Sequence, residues 1–478
     1  MLMLPELIVI GTAFVLLFTD LFISDRQRPV LGALTLLGLG LAAGSVVWMM
    51  PESGQMFGGQ FAVDSVAWWF KLLFLIAGII TVAISIDLLD GRAKSPKQRL
   101  GSPGEYYTIL LFSLSGALFL VSSRDLVSLY VSLELITIPL YALTAWKRDG
   151  ISGEAGLKYV ILGALSSAFL LYGLGLVFGL TGETNLELIG KVLQPSPALW
   201  LAAAMITASV GFKLTIVPFH MWAAEVYQGA PTPITAYLSV ASKAAGLALM
   251  FQLFYRVLGH YLVHWSVPLA IFAALTMTLG NIVAIVQQNV KRFMAFSAIS
   301  QAGYVLMGFL GTTNEGVPAM IFYMLVYILT NLAAFAVIVL YSNQTGREEI
   351  SEYRGLARTS PLVALALMIA LFSLAGIPPL SGFVGKFFLF SIASQAGFHW
   401  LVTLAAVNST ISLYYYLRII RQMYIEPAVE GDGAVPVTPV LALTVGLTTV
   451  AVMVLGIIPT FYETVYAQTV SWFLPFIK

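Results

Sequence analysis

The chain has 478 residues, 59% apolar and only 10% charged, with a formal net charge of +1 and a mean hydropathy of +0.91. That composition lies far from that of soluble globular domains and excludes a water-soluble fold, while the near-zero net charge argues against nucleic acid as a partner. Without a single cysteine there is no disulfide, thiolate-bound zinc, iron–sulfur cluster or nucleophilic thiol, and the four histidines, His220, His260, His264 and His399, lack HExxH or paired-ligand spacing.

From the N-terminus, MLMLPELIVIGTAFVLLFTDLF carries Glu6 where a signal peptide has basic residues and lacks a small-x-small cleavage site, so it reads as a retained first span. A helix crosses a hydrocarbon core about 30 Å thick with roughly 20 residues. Apolar windows and the Gly, Pro and charge punctuation then place spans near 4–24, 30–50, 66–88, 105–122, 125–146, 155–180, 197–221, 233–256, 266–288, 292–311, 316–341, 360–390, 397–420 and 437–458. The expected fold is an all-α polytopic membrane protein of about fourteen transmembrane helices with no extramembrane domain.

With the N-terminus outside, fifteen lysines and arginines fall in the inside connections, from Arg26 and Arg28 to Arg418 and Arg421, against four outside: Arg124, Lys191, Arg256 and Lys478. Both termini are therefore expected to face outward. A short internal repeat follows. GFKLTIVPFH around Lys213 and AGIPPLSGFVGKFF around Lys386 are apolar segments broken by Gly and Pro, and the spans before them end alike, in LTG (180–182) and QTG (344–346). The seventh and twelfth spans thus correspond, and an odd offset of helices puts the two units in opposite orientations, the inverted, broken-helix layout of secondary transporters. The expected division is 1–103 for the first three helices, 104–258 and 259–425 for the two five-helix units, and 426–478 for the last helix and tail.

Five lysines remain inside spans. Lys71 lies near the outer start of its helix, where it can snorkel, and Lys158 follows Glu154 at i,i+4 near an inner end. Lys213, Lys243 and Lys386 are flanked by apolar sequence on both sides, and Glu134 is the acid that falls mid-span, with Pro139 after it to bend the helix. A charge at the bilayer centre costs about 2.5–3.5 kcal/mol on insertion scales, so each is a functional expectation by default. One acid and three lysines form a sequence of proton stations, because a lysine held away from water can exchange its proton near neutrality and responds to neighbouring charge. His220, beside the break at Pro218, is a relay or a satisfied helix-break residue on equal terms. The aromatic content and Tyr414–Tyr416 read as membrane-protein packing.

LELITIPLYAL around Glu134, GFKLTIVPFHMWAAEVYQGAPTPITAYLSVASKA around Lys213 and Lys243, NVKRFMAFSAISQAGY from 289 and LAGIPPLSGFVGKF around Lys386 resemble the antiporter-like, proton-translocating membrane subunits of respiratory complex I, over nearly the whole chain. Among the siblings, the M-type is expected to carry glutamate where Lys386 stands, and the long lateral helix of the L-type is lacking. The resemblance implies that Glu134 and Lys213 form the coupling ion pair, Lys243 the central station and Lys386 the station feeding the exit. Lys158, His220 and Gln301 are accessory relay residues on the same reading; relatives often carry histidine where this chain has Gln301, and glutamine cannot shuttle a proton by titration. The resemblance further implies a subunit of a proton-pumping translocase that binds no cofactor itself, with NADH, FMN, iron–sulfur clusters and quinone in other subunits. Its partners would be neighbouring antiporter-like and small membrane subunits in the bacterial inner membrane. The alternatives are a subunit of a multi-subunit sodium/proton antiporter or membrane-bound hydrogenase, a solute transporter acting alone, and a structural scaffold.

Overall fold

The computed structural model describes residues 1–24, 27–92, 94–95, 100–310, 314–428 and 433–472; Arg26, Lys97, Arg99 and Lys478 of the charge count lie outside them. Helices α1 (Leu4–Phe22) and α2 (Pro29–Met49) lead through a short hairpin, β1 (Gly54–Met56) and β2 (Phe61–Val63), to α3 (Ser65–Leu89). There follow α4 (Pro103–Ser122), α5 (Leu126–Thr144), α6 (Gly150–Thr181), the short α7 (Leu186–Val192), α8 (Pro197–Leu214), the short α9 (Ala223–Gly229) and α10 (Thr232–Met250), which continues as a π-helix over Phe251–Val257. The second half runs α11 (Leu262–Val286), α12 (Val290–Leu306), α13 (Gly316–Thr345), α14 (Leu356–Thr359), α15 (Pro361–Ala375), α16 (Ser381–Gln395), α17 (His399–Tyr424), α18 (Pro439–Ile457) and α19 (Thr460–Thr469).

Eleven of the described helices are long and apolar enough to cross a membrane. The remaining expected spans coincide with α12, with the interrupted pair α15 and α16, and with α17. Their sequences explain why hydropathy alone passes them over: α12 opens on Lys291 and Arg292, a break divides α15 from α16, and α17 carries Asn408, Ser409, Thr410 and Ser412. The expected seventh span is also interrupted. Helix α8 stops at Leu214 because Thr215 turns left-handed at φ 60°, three residues before the proline that marks the break in the sequence.

The two halves repeat their local devices. Asp125 caps α5 and Asn289 caps α12. Leu126 N donates to Thr184 O at 2.9 Å and Leu186 N to Arg124 O at 2.9 Å, as Val290 N donates to Glu348 O and Ile350 N to Gln288 O at 2.8 Å each. The long helices α6 and α13 both end on a left-handed glycine, Gly182 and Gly346, after a threonine whose hydroxyl returns to the helix. At the breaks, Ile216 N bonds Gly211 O at 2.9 Å and Ile377 N bonds Phe372 O at 3.1 Å. The segments around the two helix breaks thus share the same kinds of caps and backbone hydrogen bonds.

Helices α10 and α13 form the centre. Helix α10 is buried along its whole length and α13 along nearly all of it, whereas most of the peripheral α1 is not buried. Small residues let α10 come close to the broken end of α8: a side chain at Gly246 would meet Leu214 at about 3.0–3.1 Å. The centre of the protein thus packs closely against the broken end of α8.

Candidate functional site

A helix end exposes carbonyls without intrahelical partners and carries the negative end of the helix dipole. In water this costs little, but inside a membrane each such carbonyl needs a donor. The chain meets this need with lysine. Lys243, at the middle of α10, donates to Leu214 O at 3.2 Å and to the Thr215 hydroxyl, at the broken end of α8. Lys386, on α16, donates to Leu374 O at 2.9 Å and Ala375 O at 3.1 Å, at the broken end of α15, and to Ser409 Oγ at 3.2 Å, with its ammonium 4.5 Å above the Tyr304 ring. Ser409 in turn donates to Ala375 O at 2.8 Å.

Lys213, in the last turn of α8, is equally buried and donates to Thr137 Oγ1 on α5 at 2.8 Å. Lys213 and Lys386 stand differently at their two breaks. Lys213 precedes its left-handed residue, Thr215; Lys386 follows Gly376 and reaches back across the break. Read through the shared hydrogen bonds, Leu374 occupies the place of Lys213, and the Ser409 hydroxyl stands where the Lys243 ammonium does, on the last carbonyl of the broken helix.

Glu134 is half-buried on α5, and its Oε1 has no hydrogen-bond partner. Among the described residues no ion pair joins it to Lys213; in place of the expected pair the Thr137 hydroxyl, one turn from Glu134, accepts from the ammonium. Lys158 pairs with Glu154 at 2.6 Å, as the i,i+4 spacing indicates, and also with Glu225 on α9 at 2.5 Å, a partner invisible in local sequence. His220 lies half-buried in the break between α8 and α9. Gln301, on α12, is 2% exposed and bonds protein groups directly, with Nε2 on Leu374 O at 3.0 Å and Oε1 accepting from Tyr323 Oη at 2.5 Å.

Polar groups of α13 span the distance between these centres. Tyr327 Oη donates to Ser239 O at 3.0 Å and Asn331 Nδ2 to Ser239 Oγ, one turn before Lys243, while Tyr323, one turn from Tyr327, reaches Gln301. Sequence reading missed these residues, together with Thr137 and Ser409, since isolated tyrosines, serines and threonines in apolar helices carry no spacing signal. Sequence reading placed Lys71 but missed its partner. The lysine does not snorkel: it is fully buried and paired with Glu6 at 2.7 Å, its ammonium 4.6 Å from the Trp68 ring. Among the described residues no group of three or more His, Asp or Glu could hold a metal ion.

The family described as NADH:quinone oxidoreductase/Mrp antiporter, TM matches residues 123–412, which contain Glu134, Lys158, Lys213, Lys243 and Lys386. The chain is 40% identical over 477 residues to NADH-quinone oxidoreductase subunit N of Moorella thermoacetica, covering 98% of each chain, and 39% identical over 477 residues to that of Dehalococcoides mccartyi, covering 96% of each. A chain of respiratory complex I from Thermus thermophilus with bound Aureothin superposes with a TM-score of 0.80 at 32% identity, over 95% of this chain and 97% of that one. Buried lysines on helix breaks and full-length similarity thus converge: the chain belongs to the NADH:quinone oxidoreductase/Mrp antiporter family of membrane subunits, among its NADH-quinone oxidoreductase N subunits.

Proposed function

We propose that this proton-translocating subunit of NADH:quinone oxidoreductase moves its protons through Glu134, Lys213, Lys243 and Lys386, with Lys158, His220 and Gln301 as accessory groups. The observation that carries this reading is the placing of the Lys243 and Lys386 ammoniums on the unpaired carbonyls of the two broken helices. An ammonium so held is stabilised by helix-end dipoles in place of water, and a change of nearby charge is enough to release its proton. Lys213 is held by Thr137 while Glu134 stays unpaired. Movement of the Lys213 ammonium toward Glu134 would draw positive charge away from Lys243 and favour its protonation; the return would expel that proton toward Lys386.

The finer architecture belongs to the same reading: fourteen crossings, with 104–258 and 259–425 as inverted five-helix units between 1–103 and 426–478, and both termini on the outer side of a bacterial inner membrane. NADH, FMN, iron–sulfur clusters and quinone would act in the other subunits, and neighbouring antiporter-like and small membrane subunits would flank the chain.

The test is NADH-driven proton uptake by the assembled complex in proteoliposomes. Lys243→Ala should abolish this subunit's share of pumping, while the complex still assembles. Full pumping by Lys243→Ala would refute the relay.

A further inference from the structure

Leu374 O accepts two hydrogen bonds, one from Lys386 Nζ at 2.9 Å and one from Gln301 Nε2 at 3.0 Å. A carbonyl has two lone pairs, so this one is saturated. The orientation of the Gln301 amide is fixed chemically, because only its NH2 can serve a carbonyl, and its oxygen is then left to accept from Tyr323 Oη at 2.5 Å. Tyr323 is 2% exposed, and a side chain at Gly385, next to Lys386, would meet its ring at 2.9 Å, so α16 is built to admit the tyrosine.

The first repeat solves the corresponding problem differently. There the α5 hydroxyl of Thr137 accepts directly from the Lys213 ammonium. In the second repeat an apolar residue, Leu374, stands in the place of that lysine, and the α12 side chain is longer. It reaches the backbone of Leu374 and acts on the lysine of α16 through that carbonyl.

From this geometry we propose that Tyr323 and Gln301 are positioning residues for Lys386: a hydroxyl–carboxamide strut from α13 through α12 that holds the Leu374 carbonyl and so sets where the ammonium rests. Gln301 transfers no proton in this role. It rests on the relay reading above, but adds residues and a mode of action. Because both act through one carbonyl, their effects are not additive.

The experiment compares Tyr323→Phe, Gln301→Leu, the double variant and Lys386→Ala in the assembled complex, reading NADH-driven proton uptake against pH. Tyr323→Phe removes only the hydroxyl and keeps the ring against Gly385, so it carries the test even where Gln301→Leu fails to assemble. The expected result is uptake lowered about fivefold, the effect of one lost buried hydrogen bond, a displaced pH profile, and a double variant no worse than Gln301→Leu alone. If Lys386→Ala abolishes uptake while Tyr323→Phe leaves rate and pH profile unchanged, the strut is wrong and the relay stands. Wild-type uptake by Lys386→Ala would overturn the relay at that residue, and the strut with it.

Discussion

At the scale of single residues, the design problem is how to keep an ammonium in a dry interior. A buried cation without acceptors is far costlier than one with hydrogen bonds, and each of Lys213, Lys243 and Lys386 has acceptors within reach. For Lys213 the single acceptor among the described residues is the Thr137 hydroxyl. Thr137→Val keeps the shape and removes that oxygen. The loss of a hydrogen bond to a charged, buried group is worth about 1.5–3 kcal/mol, so proton uptake by the assembled complex should slow roughly tenfold or more, with assembly retained. Wild-type uptake in this variant would show that Thr137 does not hold the lysine during turnover. The three buried lysines stand out in the sequence because a charge in an apolar run has no ordinary explanation. Thr137, Ser409 and Tyr323 do not, since hydroxyls are common in membrane helices and only the fold reveals which face a break. Lys71 misled for a related reason: its partner Glu6 is on another helix, and pairings across helices leave no local trace.

At the scale of elements, hydropathy located the helices well but put the first break too far along. Proline announces that a helix cannot continue, whereas the helix ends where a left-handed residue closes it, at Thr215. The helix ends around Asp64 show a second feature beyond sequence reading. Asp64 caps α3 through Ala67 N and also accepts from Arg124 Nη2 at 2.7 Å, Arg256 Nη2 at 2.7 Å and Trp472 Nε1 at 2.9 Å; Arg256 continues to Glu187 at 2.8 Å. One carboxylate thereby joins α3, the α4–α5 connection, the π-helical end of α10 and the C-terminal segment. Burial works against the Asp64 charge, but the guanidiniums of Arg124 and Arg256 outweigh it and hold its carboxyl below the usual range. A depressed carboxylate contributes its full stability above the unfolded value, about 3.9, and loses it as pH falls through the lower folded value. Asp64→Asn should therefore cost stability at neutral pH and flatten the acid dependence below about pH 4. Breaking a fully buried pair costs about 3–5 kcal/mol; since 27% of the Asp64 side chain stays exposed, the loss should fall below that. Heating the solubilised complex and following release of this chain measures it, and an unchanged release temperature at neutral pH would count against the clamp.

At the scale of the whole molecule, the outer clamp bears on how the chain lies in the membrane. The orientation rests on lysine and arginine being scarce on one side. Of the four basic residues assigned to that side, Arg124 and Arg256 are buried, at 2% and 6% exposure, and committed to Asp64 and Glu187. Paired arginines inside the fold add little to the outward charge once folding is complete. Lys191 is then the one exposed basic residue of the outer set among the described residues, while Arg92, Lys94, Arg354, Arg358 and Arg421, assigned to the inner set, are exposed. On the proposed orientation the inner set thus keeps more exposed basic residues than the outer set among the described residues. It follows that a reporter active only outside the membrane should work when fused to the N-terminus and fail when inserted beside Arg92. Replacing Arg92 and Lys94 together should weaken the second result little, since the bias is spread over many connections. Reporter activity at Arg92 equal to that at the N-terminus would invert the topology. It would also reverse the direction of the relay, since Lys386 could then no longer lie on the path to the outer side.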